Sequence, residues 1–175
     1  MAAKWLTANG YKNVSVLFNG IDAVLSTAAD DLPGKWIYLE QKTPCKVLAV
    51  TEISPFLNSH PDRLILDVRT KEEFSNQAKD SWRNIGQIKD AINIASADLP
   101  SQNDQLTTYK NKPIIIYAFT TGDEVYTAAK KLVNAGYKDV NILAGGLFNL
   151  RWTAHNIKGK EGIDAIVVNV PEVNL

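Results

Sequence analysis

Short apolar runs alternate along most of this chain with stretches of helical periodicity. LILDV at 64–68 and PIIIY at 113–117 read as buried strands, and the second is apolar enough for the middle of a parallel sheet covered on both faces. Between 123 and 135 the residues Val125, Ala128, Ala129, Leu132 and Val133 fall at i, i+3, i+4, i+7 and i+8, which predicts a helix with one apolar face. Gly136 stops it, because glycine tolerates the positive φ of a helix end. Further strands are expected at 47–50, 91–94 and 140–143, and further helices at 51–58 with Thr51 as its cap, at 71–76, and from the Gly145-Gly146 pair to about His155. Near the amino terminus a helix over 2–9 ends at Gly10 and a strand over 14–17 follows. Residues 21–44 read as a linker with a turn at 30–34 and a short strand at 36–39, and 158–175 as a tail whose β-branched segment IDAIVVNV, 163–170, is a strand. Alternating strands and helices imply an α/β fold with a parallel sheet wrapped by helices on both faces. Ligand sites in such sheets lie beyond the carboxyl ends of the strands, so the loop after PIIIY is the first candidate.

The chain also repeats itself. Residues 2–20 align without gaps on 128–146, with identities that include Ala3/Ala129, Lys4/Lys130, Leu6/Leu132, Gly10/Gly136, Tyr11/Tyr137, Val14/Val140 and Gly20/Gly146. In the second copy this helix and strand come late in a domain. Residues 1–20 are therefore expected to be the remnant of an upstream repeat, and the chain a piece of a tandem protein with its main domain at 45–157. The apolar faces of the remnant need a cover, for which the tail is the first candidate and a second copy of the chain, giving a homo-oligomer through residues 1–20, the other.

Charge narrows the partners. Nineteen basic and nineteen acidic residues leave no polycationic face for nucleic acid or anionic lipid, and no apolar run approaches the ~20 residues of a membrane span. Cys45 is the only cysteine, which excludes an internal disulfide and a cysteine-built zinc cluster; no metal and no cofactor is expected. The compartment stays open.

Several pieces in order then resemble the rhodanese (thiosulfate sulfurtransferase) family: DVRTKEEF at 67–74, GQIKDAINI at 86–94, PIIIY, and AAKKLVNAGYKDVNILAGG at 128–146. The resemblance implies a rhodanese-like fold over the main domain. It also implies a loop of pattern C-x-x-G-x-R-S after PIIIY, in which a thiolate takes the outer sulfur of a sulfane donor and becomes a persulfide. This chain has Ala118, Phe119, Thr120, Thr121, Gly122, Asp123 and Glu124 there. Counting forward from PIIIY puts Ala118 at the nucleophile position, and counting back from Ala128-Ala129 puts Phe119 there with Gly122 as the loop glycine. Neither can attack sulfur. Asp123 or Glu124 replaces the arginine, and their plainer reading is as first-turn partners of the helix dipole. The Cys and Arg of the related cysteine phosphatases are missing as well.

The remaining polar residues have structural readings. Thr120 and Thr121 suit local hydrogen bonds to the turn backbone, Cys45 suits a small buried hydrophobe, and Asp67 and Arg69 are supporting residues that tie loops beside the site. Trp5, Trp36, Trp82 and Trp152 are dispersed and read as packing residues rather than a stacking platform. The expected function is a catalytically silent module, structural or interacting, whose partner is the upstream rhodanese-like domain or another protein. Two alternatives remain at this level: an active tandem sulfurtransferase whose cysteine lies upstream, and a small-ligand binding or sensor module.

Overall fold

The computed structural model describes residues 2–16, 21, 23–24, 27, 31–34, 45–99 and 106–172. After helix α1 (Ala2–Ala8), the main unit runs β1 (Lys46–Leu48), α2 (Ile53–Ser59), β2 (Leu64–Asp67), α3 (Lys71–Phe74), β3 (Gln87–Ile88), β4 (Ile92–Asn93), β5 (Pro113–Tyr117), α4 (Asp123–Asn134), β6 (Asp139–Leu143), α5 (Gly146–Asn156) and β7 (Val167–Val168). Five strands form one parallel sheet in the order β1-β6-β5-β2-β4, and β3 and β7 form a separate antiparallel pair. PIIIY is the central strand, as its unbroken apolar run requires.

Alternation along each strand sends side chains to two cores. Leu64, Leu66, Ile114, Ile116 and Ile142 pack on one face against Val125, Ala128, Ala129 and Leu132 of α4. Ile65, Ile115, Tyr117 and Leu143 pack on the other against α2 and α5 through Ile53, Leu57, Leu147 and Leu150. Helices thus cover both faces, which is why the strands carry almost no polar residue. Cys45 joins the first core, and burial pushes its thiol up from the ordinary cysteine range.

Several sequence expectations need correction. Thr51 caps nothing: its hydroxyl is buried without a hydrogen-bond partner among the described residues. The chain turns through a 3-10 segment at Val50–Glu52 before α2, and the Glu52 carboxylate accepts from the Ala49 N–H at 2.7 Å instead. Residues 14–16 take no strand conformation, Leu17 and the strand expected at 36–39 lie outside the described residues, and the expected strand at 91–94 is only the two residues of β4. Among the described residues, the tail does not pair with residues 14–16. It forms a 3-10 turn, Glu161–Ile166, and then β7, which pairs with β3 as Ile88↔Val167 and Gln87↔Val168. Ile163, Ile166 and Val167 lie on the core beside α2 and α5, so the tail's apolar residues are used on the main domain itself.

One buried ion pair fixes the carboxyl end of β2. Arg69 reaches back to Asp67 with Nε at 3.0 Å from each carboxylate oxygen and Nη2 at 2.6 Å from Oδ2, while Nη2 also donates to the Gly86 carbonyl at 2.8 Å. Both side chains are almost fully buried. Burial alone would lower the affinity of Arg69 for its proton, but the hydrogen bonds and charge of Asp67 outweigh it and raise that affinity. Asn93 donates to the carbonyls of Asp67 and Arg69, closing the bend. Beyond it, Thr70 and Glu73 form a reciprocal cap on α3, and Glu73 receives Arg83. Removing one partner leaves the other charge buried, so Asp67→Ala is expected to destabilise the domain by about 3–5 kcal/mol. Urea unfolding checks this, and a change below ~1 kcal/mol would show that the pair does not hold the bend.

Candidate functional site

The carboxyl ends of β2, β5 and β6 lie side by side, since Asp67 pairs with Tyr117 and Ile116 with Ile142. Three loops therefore meet: 68–70, 118–122 and 144–146. The bend of Asp67 and Arg69 forms the floor, with the Arg69 guanidinium 5.9 Å from the Tyr117 ring centre. The Tyr117 hydroxyl accepts from the Ile88 N–H, and burial, then the charge of Asp67, push its ionisation well up. It is a neutral anchor, not a base.

Ala118 is the first residue past β5 and is fully buried. Its carbonyl accepts from the Leu147 N–H at 3.0 Å, and the Phe119 carbonyl accepts from Phe148 N–H at 2.9 Å. These bonds bring the α5 backbone so close that only glycine fits at 146: φ is +60°, and a β-carbon there would stand 2.6 Å from the Ala118 oxygen and 2.8 Å from that of Phe119. Thr121 does not bond within its own turn. Its hydroxyl accepts from Gly145 N–H, pinning the middle of the loop to the glycine pair. Gly122 is the N-cap of α4, Asp123 and Glu124 occupy its first turn, and the Glu124 carboxylate curls back over Gly122, 2.3 Å from where a β-carbon would be. Thr120 is exposed.

The loop also carries an aromatic cluster that the sequence reading missed. The Phe119 ring, only 8% exposed, meets the edge of Trp82 at 5.1 Å and stacks on Phe148 at 5.5 Å, while the Arg83 guanidinium lies over Trp82 at 4.8 Å and over Phe119 at 5.3 Å. Trp82 and Phe148 themselves stay largely exposed. Trp82 is thus not a dispersed packing residue. Phe148, two residues past the glycine pair, could have been linked to the loop; the position of Trp82, 37 residues before Phe119, has no local signal in the sequence. A cleft of about 420 Å³ is lined by Trp82 with others of the 76–85 segment, Arg151 and residues 170–172, and takes no residue of loop 118–124. No helix among the described residues is long and apolar enough to cross a membrane.

Comparisons with known proteins agree with this architecture. No curated protein sequence matches. Among solved structures, thiosulfate sulfurtransferase from Pseudomonas aeruginosa aligns at 24% identity with a TM-score of 0.50, covering 62% of this chain and 19% of that one. The reduced CoADR-RHD of Bacillus anthracis aligns at 25% identity with a TM-score of 0.48, covering 60% and 16%. A homolog of single-domain rhodanese from Saccharomyces cerevisiae aligns at 18% identity with a TM-score of 0.47, covering 63% and 81%. The chain thus spans under a fifth of the first two proteins. The family profile described as Rhodanese-like domain matches residues 54–152, from α2 through the loop to α5, and on that match the chain belongs to the rhodanese-like domain family.

Proposed function

We propose that this chain is a catalytically silent rhodanese-like module, serving as a structural or interaction domain of a sulfurtransferase-family protein. Its partner would be another rhodanese-like unit or a different protein. The observation that carries the reading is the loop after β5, which holds a buried methyl group at Ala118 and an aromatic ring at Phe119 in the two positions where counting allows a nucleophile. Sulfur transfer needs a thiolate to attack a sulfane sulfur and release sulfite, and a second nucleophile to take the sulfur from the persulfide. Neither side chain has an electron pair to offer. Cys45 lies before β1 in the core and keeps its proton, so it is no substitute.

Charge works in the same direction. A sulfane donor such as thiosulfate needs positive surroundings, and the first turn of α4 supplies only a helix dipole, worth about 0.3–1 kcal/mol. An anion about 4 Å from the Glu124 carboxylate is repelled by about 1 kcal/mol in water and about 4 kcal/mol at an effective dielectric of ~20. Repulsion wins. Arg83, whose guanidinium lies over the Phe119 ring, already pairs with Glu73.

The purified chain is expected to form no thiocyanate from thiosulfate and cyanide above a heat-denatured control. Product that persists after Cys45 is alkylated would contradict the reading. Ala118→Cys is also expected to stay at the control level, because a thiol at this buried position gains no cationic partner and burial favours its protonated form. Phe119→Cys, which tests the other count, should stay there too. Robust turnover by either single variant would mean that the loop is preorganised for sulfur transfer and that only the nucleophile is gone.

A further inference from the structure

Residues 2–16 carry a docking surface whose occupant can be read from the chain's own second copy. Both copies end their helix in the same way. Gly10 has φ +82° and Gly136 has φ +88°. Tyr11 N–H donates to the Leu6 carbonyl at 3.2 Å and Tyr137 N–H to that of Leu132 at 3.1 Å, while Gly10 N–H donates to Thr7 and Gly136 N–H to Val133. The sequence repeat is therefore also a structural repeat.

Burial is reversed between the copies. Tyr137 is 3% exposed and Ile142 fully buried, whereas their counterparts Tyr11 and Val16 are 60% and 70% exposed. Leu132 and Ala129 lie in the core, whereas Leu6 and Ala3 are only half-buried. Backbone likeness stops at Asn13, which has φ +60°, where its counterpart Asp139 opens β6. In the second copy the strand lies between β1 and β5, through the parallel pairs Val47↔Ile142, Ile114↔Val140 and Ile116↔Ile142, and its apolar side chains Val140 and Ile142 pack in the core. Residues 14–16 have no such neighbour among the described residues, and the tail that could have supplied one is paired with β3.

We infer that residues 2–16 correspond to α4 and the start of β6 in a second rhodanese-like unit, and that the surface of Leu6, Tyr11, Val14 and Val16 is completed by that unit, whose β5-type strand would pair in parallel with residues 14–16. By the register of β5 and β6, Val14 would stand opposite the counterpart of Ile114, and Val16 opposite that of Ile116. Docking would draw Asn13 out of its positive φ into the conformation that Asp139 holds. The occupant is a rhodanese-like sheet rather than a second copy of this chain, because the β5 of this chain is already flanked on both sides by β2 and β6. The inference stands on residues 2–16 and not on loop 118–124, so assays of sulfur transfer leave it untouched.

Hydrogen exchange read by mass spectrometry tests it, comparing residues 1–175 with the full polypeptide that the gene encodes. The amides of 14–16 are expected to exchange freely in the shorter chain and at least ~100-fold more slowly in the longer one, as paired strand amides do. Val16→Asp adds a second readout: no change in melting temperature for residues 1–175, and a fall of several degrees in the transition of the preceding unit in the longer protein. Free exchange in both proteins would overturn the inference. So would protection in the shorter chain alone, which would mean that the chain or its own copies cover the surface, and so would a gene that encodes no rhodanese-like segment before these residues.

Discussion

Three hydrogen bonds between the loop after β5 and the glycine pair after β6 decide what this site can be. Leu147 and Phe148 donate to the carbonyls of Ala118 and Phe119, and Gly145 donates to the Thr121 hydroxyl. The first N–H groups of a helix have no partner within it and are what an anion would otherwise use. In α5 two of them are engaged by the loop itself. The contact also demands that residue 146 lack a β-carbon, so the glycine pair and the path of the loop depend on each other.

From that junction the rest follows. With its backbone held at 118 and 119, the loop directs the Phe119 ring to a place between Trp82 and Phe148, whose outer faces stay exposed. Past Gly122 the chain enters α4 with two acidic side chains in the first turn, a favourable arrangement for the helix and an unfavourable one for an anionic donor. The Asp67–Arg69 pair lies beneath the loops, and residues 118–124 carry neither a thiol nor a basic side chain. The start of the loop belongs to the scaffold, since Ala118 packs in the first core, whereas Thr120, Asp123 and Glu124 are exposed.

Much of this was legible in the sequence because the signals were local and repeated. PIIIY can only be a strand buried on both faces, the i, i+3, i+4 spacing of α4 leaves one reading, and Gly136 and Gly145-Gly146 mark their turns without outside information. What was not legible rests on contacts between distant segments. The tail was apolar and β-branched, as a strand should be, but nothing in it specified β3 rather than residues 14–17 as its partner. Thr51 has the composition of a cap, yet Glu52 satisfies the turn and the threonine hydroxyl is buried. Trp82 reaches Phe119 only because α3 and the 3-10 turn at Ser81–Arg83 carry it there, with the Arg83–Glu73 pair holding that turn to the cap of α3. In the loop, the residue types alone excluded a thiol; its fixing to α5 needed the coordinates.

Whether loop 118–124 holds an anion is the most direct test of the proposed silent module, and amide NMR with thiosulfate reads this at the loop itself. Titration of the labelled chain with thiosulfate, against sodium chloride at matched ionic strength, is predicted to move the amides of 118–124 no more than salt alone does. Saturable shifts confined to those amides would contradict the account, because they would show an anion cradle in the loop.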